Sequence, residues 1–167
     1  MVSHRIAFIV RDRSLGARDL VRVVRDASKT FKNDPNSVDA ANASDDAWKA
    51  MVGLFDVLRN EQDHGKPIRY QMSEDTGQPF RGVSHLELLA MLGSCRIDRK
   101  HPGIKILSLR DALNKIAHHN KEISTYRLDG RGAHYLVLAG QEGNKQWVAE
   151  FLVSRFCRNA TAAIRAL

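Results

Sequence analysis

The chain has 167 residues, 43% hydrophobic and 27% charged, enough for one domain with a buried core and too few for two comfortable ones. It carries 26 Lys and Arg against 19 Asp and Glu, a formal net charge of +7, which favours a polyanionic partner without dictating a fold. With only two cysteines, Cys95 and Cys157, a disulfide scaffold is excluded, and no apolar run approaches the roughly 20 residues that span a bilayer.

The apolar run at 6–10 is followed at once by Arg11, Asp12 and Arg13, too short for the core of a secretion signal, so a cytoplasmic protein is expected. Leu20, Val21, Val24, Ala27 and Phe31 recur at helical spacing and predict an amphipathic helix over 15–32, with a start as early as residue 5 compatible with the pattern. On its other side, Arg11, Arg18, Arg22, Arg25, Lys29 and Lys32 follow steps that keep all six in a narrow angular band. Such a stripe can track phosphates; it can equally be a solvated face whose repulsion is softened by Asp19 and Asp26. Residues 32–46, rich in Asn, Asp and Ser, predict a loop, and Ser44 or Asp45 a cap for a second helix built on Trp48, Met51, Val52, Phe55 and Leu58.

Gly65, Pro67, Gly77 and Pro79 break the segment 62–82, leaving room for a short strand over 68–72. Ser84 caps a third helix whose Leu86, Leu88, Leu89, Met91 and Leu92 are dense enough to predict burial on more than one side. After a basic loop at 96–103, Ser108 caps a helix with Asp111 three positions on, and Leu109, Ala112, Leu113, Ile116 and Ala117 form its apolar face. Strand-like runs at 123–128 and 134–139 flank Asp129-Gly130-Arg131-Gly132 and predict a β-hairpin. A last helix is expected over 145–167, with Trp147, Val148, Phe151, Leu152 and Phe156 among its apolar residues. The sum is a mainly α single domain over 1–167: about five helices with a β-hairpin between the last two.

The helix capped by Ser108 puts Arg110, Asn114 and His118 on one side, with His119 beside His118 in the last turn. Asn114-Lys115-Ile116-Ala117-His118 resembles the motif of the HEPN superfamily (higher eukaryotes and prokaryotes nucleotide-binding), helical bundles whose late helix carries Arg, a polar residue, three variable residues and His. The motif Arg is Leu113 here. The resemblance implies metal-independent RNA cleavage by a homodimer, of the kind found in toxin–antitoxin or antiphage systems, with no cofactor and with a cognate antitoxin as a possible partner. On that basis His118 is the acid/base, Asn114 positions it or the phosphate, and Arg110 or Lys115 supplies positive charge; the basic stripe would hold the RNA backbone. The alternative is a catalytically inactive module that binds nucleic acid or protein.

The helix dipole is expected to raise the pKa values of His118 and His119, and the bland account of both is a C-terminal cap. Adjacent on a helix, they point about 100° apart and cannot share one metal ion, so no metal site is expected. Cys157 reads as core, and Cys95 has no nucleophile signature around it. Arg131, with Arg127 and His134, is either a phosphate-approaching loop or a plain turn.

Overall fold

The computed structural model describes residues 13–167. In chain order these form α1 (Arg13–Asn33), α2 (Val38–Asp63), α3 (Arg69–Met72), β1 (Asp75–Val83), α4 (His85–Gly93), β2 (Leu107–Ser108), α5 (Leu109–His118), β3 (Thr125–Leu128), β4 (His134–Glu142), β5 (Lys145–Leu152) and α6 (Val153–Arg165). All strand pairs are antiparallel, in the order β2-β1-β5-β4-β3. The architecture is therefore mixed α/β. The expected mainly helical bundle with one hairpin is wrong: six helices among the described residues accompany a five-stranded sheet.

Two local readings account for that error. Residues 145–152 carry Trp147, Val148, Phe151 and Leu152 at spacing compatible with a helix, but the chain turns back at Gly143-Asn144 and this run pairs with β4 over its full length. Gly143 has φ of 58°, which is required at the first central position of a two-residue type II′ hairpin turn. Strand β1 crosses the segment that Gly77 and Pro79 appeared to break. Pro79 faces its carbonyl toward Lys105 N at 3.3 Å on the side away from β5, so its missing N–H costs no ladder bond. Residues 68–72, expected as a strand, contain the short helix α3 instead.

The predicted helices have firmer outlines. Ser84 and Glu87 make a reciprocal capping box at the start of α4, and Ser108 accepts from Asp111 N at the start of α5. Helix α2 begins earlier than expected: Ser37, not Ser44 or Asp45, is its N-cap, accepting from Ala40 N. The polar residues 42–46 are absorbed into that helix because Ala40, Ala50, Met51 and Leu54 give it a buried face against α1.

The sheet separates two apolar layers. On one side Leu136, Leu138, Trp147, Ala149 and Phe151 pack against α5, α6 and the α1–α2 hairpin. On the other, Phe80, Val137, Ala139 and Val148 meet Leu88 and Met91 of α4 and Ile97. Helix α4 is thus buried on one side only, contrary to expectation: Leu86 and Leu89 are exposed. The strands 134–139 and 145–152 are covered on both faces, which is why they read as continuous apolar runs rather than alternating ones. Asn159 ties α6 to β1 by donating to the Asp75 carbonyl at 2.9 Å and to Thr76 Oγ1 at 3.0 Å. No helix among the described residues is long and apolar enough to cross a membrane.

Candidate functional site

The four residues expected to act on α5 do not converge on one point. Arg110 bonds the Gln62 side chain and lies 3.5 Å from Asp63. Asn114 Oδ1 accepts from Arg59 at 2.7 Å, and Arg59 also reaches Asp63 at 3.3 Å, so these two belong to one polar network between α2 and α5. Lys115 points elsewhere. Its side chain is buried, with Nζ 4.0 Å from the Trp147 ring centroid and 3.9 Å from Glu142, and burial, aided by Arg81, lowers its pKa. The His118 side chain is exposed and stands edge-on to Phe55 at 6.3 Å. Arg59, which lies over that same Phe55 ring, is a cation near the motif that sequence reasoning did not consider.

Helix α1 exposes Arg18, Arg22, Arg25, Lys29 and Lys32 as the spacing predicts; Arg11 lies outside the described residues. Among the described residues, no group of three or more His, Cys, Asp or Glu could hold a metal ion. Cys157 is buried in α6, and burial pushes its thiol up to about 11.

The most site-like feature lies along the apolar side of α1, where Phe31, Trp48, His119, Tyr126 and His134 line a cavity of about 340 Å³. Each ring has a separate structural cause. Phe31 belongs to the apolar side of α1 and Trp48 to that of α2, whereas His119 is the residue that ends α5. Tyr126 and His134 come from the paired strands β3 and β4, on the sheet face turned toward α1 and α2.

The rings form two stacks. Trp48 and His119 lie at 4.4 Å with an interplanar angle of 17°, and Phe31 and His134 at 4.8 Å with 7°. Tyr126 meets Phe31 edge-on at 4.5 Å. The hydroxyls of Ser28, Ser44, Ser124 and Thr125 and the charges of Asp45 and Lys121 complete a wall that is apolar with scattered polar groups, the usual character of a small-molecule site.

Both imidazoles have lowered pKa values, which favours the neutral rings. Burial beneath Trp48 lowers the pKa of His119, reversing the rise expected from the helix dipole, and Lys121 adds to the lowering. His119 Nδ1 is 2.7 Å from the Ile116 carbonyl, so the single proton of the neutral ring is donated there and Nε2 is left as an acceptor. His134 is pushed down to about 4 by burial and then by Lys32, with its Nδ1 3.0 Å from Ser28 Oγ.

Sequence reasoning placed His119 at a helix end and His134 in a hairpin loop, and brought neither to an aromatic cavity. Their meeting depends on a sheet that the sequence pattern concealed. Comparison with protein-family models, curated proteins and solved structures gives no match to this chain. With a mixed α/β fold and no family match, the HEPN resemblance is overturned, and with it the ribonuclease, toxin or antiphage activity and the inactive helical module inferred from it.

Proposed function

We propose that this chain is a ligand-binding module whose cavity between α1, α2 and the β3–β4 pair takes a planar, nitrogen-containing ring. The observation that supports this is the convergence of two ring stacks, Trp48/His119 and Phe31/His134, on a single cavity of about 340 Å³. An aliphatic guest would satisfy the apolar wall but would leave the His119 Nε2 acceptor without a partner, a cost of about 1–3 kcal/mol for a buried group. A heterocycle with ring N–H or amino groups meets both requirements: its faces stack on the aromatic walls and its edge donates to Nε2.

Calorimetric titration with the four common ribonucleosides, indole and an alicyclic control such as cyclohexanol tests this reading. At least one nitrogen-containing planar ring should bind at millimolar concentration or better while cyclohexanol does not. Trp48→Ala should weaken that binding about tenfold, as expected for loss of one stacking partner. Tyr126→Ala, at a half-exposed position, tests the same lip with little risk to the fold. Equal binding of cyclohexanol, or no heat from any ring compound, would refute the proposal.

A further inference from the structure

We infer that the ring is a base of a single-stranded nucleic acid whose phosphates run along the basic surface shared by α1 and α6; this rests on the cavity being a ring-binding site. From Arg18 to Lys32 and along α6, eight Lys and Arg are exposed; Arg155 pairs with Asp75 of β1 at 3.5 Å, and the acids on the two helices themselves are Asp19 and Asp26. Those acids make exposed pairs with Arg22 and Lys29 at 3.0 and 3.1 Å, which screening by salt renders weak. Helix α6 contains no acidic residue at all. Its Arg155, Arg158 and Arg165 fall within about 80° on an ideal helix.

Two placements make this one surface rather than two. Arg25 crosses from α1 to donate to Thr161 Oγ1 at 2.9 Å and reaches the Cys157 carbonyl at 3.5 Å, so the cations of α1 lie beside those of α6. At the other end, Lys32, the last cation of the stripe, follows directly on Phe31, whose ring lines the cavity. Tyr126, 39% exposed and edge-on to Phe31, is a half-open aromatic among the rings that line the cavity. From Arg18 to Lys32 the helix rises about 21 Å, room for several phosphates in line. Cationic tracks beside aromatic pockets are the general solution for single strands, in which the backbone is held electrostatically and a base is stacked.

Fluorescence anisotropy with labelled RNA and DNA single strands of about 12 nucleotides, within the usual site size, tests the inference. Binding should weaken linearly in log–log form as salt rises, and Arg18→Gln, Lys29→Gln and Arg158→Gln should each flatten that slope by roughly 0.7. Trp48→Ala should lower affinity about tenfold and leave the slope unchanged. If ribonucleosides bind but strands bind no tighter and show no salt dependence, the inference fails while the cavity reading stands. If strands bind with a steep slope yet Trp48→Ala and Tyr126→Ala are indifferent, or if duplex DNA or heparin competes as well as a single strand, no base is seated and the inference is overturned. Whether RNA or DNA binds more tightly identifies the strand's sugar.

Discussion

Glu150 shows how much one side chain can commit the fold to a polar arrangement. It stands on β5 with 3% of its surface exposed, 2.7 Å from Arg99 and 3.2 Å from Arg127, and Arg127 in turn lies 4.0 Å over the Tyr135 ring. Removing the carboxylate leaves the Arg127 guanidinium, 13% exposed, without its counter-charge. Glu150→Ala should therefore cost about 3–5 kcal/mol in urea unfolding, whereas Arg99→Ala, half-exposed, should cost about 1 kcal/mol or less. Equal losses in the two variants would contradict this division. His134 makes a prediction in pH. Its ordinary value is 6.5 and the folded chain holds it at about 4, so between these limits the unfolded chain binds a proton that the folded chain refuses. Stability should be complete above about pH 6.5 and fall as pH drops toward 4, by roughly 3 kcal/mol in full. Urea midpoints compared at about pH 7 and pH 4.5 should differ less in His134→Gln than in the parent chain. An unchanged difference would show that another group carries the acid sensitivity.

At the scale of elements, what the sequence made legible follows from how locally each element is determined. Helices α4 and α5 announce themselves because their caps and apolar faces lie within ten residues of one another. Strand β5 does not, because burial on both faces erases the alternation that distinguishes a strand from a buried helix. The Gly143-Asn144 turn was the available signal, since Gly-Asn between apolar runs is a hairpin pattern. The cavity was illegible for a related reason: His119 and His134 are 15 residues apart in sequence and meet aromatic rings from α1 and α2 only once the sheet exists. Gly140 supplies a test of the β4–β5 pairing. It is directly opposite Trp147, and a Cβ there would run into the indole ring. The same indole holds Lys115 at 4.0 Å, so Gly140→Ala should displace both groups and destabilise by about 1–3 kcal/mol, with an altered near-ultraviolet dichroism signal. A helix in place of β5 would have no such opposition, and a neutral Gly140→Ala would speak for it.

Across the whole molecule the two faces of the sheet are unequally covered. One is sealed by α5, α6 and the α1–α2 hairpin, with Leu54, Leu113, Trp147, Phe151 and Phe156 all essentially inaccessible. The other is closed by the nine-residue α4 and the loop that follows it, whose cover depends on Leu88, Met91 and Ile97. Each large side chain fully buried contributes about 1.5–3 kcal/mol, so the thick layer holds much the greater share of the stability. Opening the thin layer exposes few of these residues and need not disturb the other face. The amides of α4 should therefore exchange with deuterium through a local opening of lower free energy than those of α5 and α6, whose release requires the main core to come apart. Mild denaturant should leave α4 exchange nearly unchanged while accelerating α5 and α6, since only global opening exposes much new surface. The ring-lined cavity is built on the thick side, between α1, α2 and the sheet, where its walls are anchored in the part that opens last. If α4 proves as protected as α6 and equally sensitive to denaturant, the two layers unfold as one and this hierarchy is wrong.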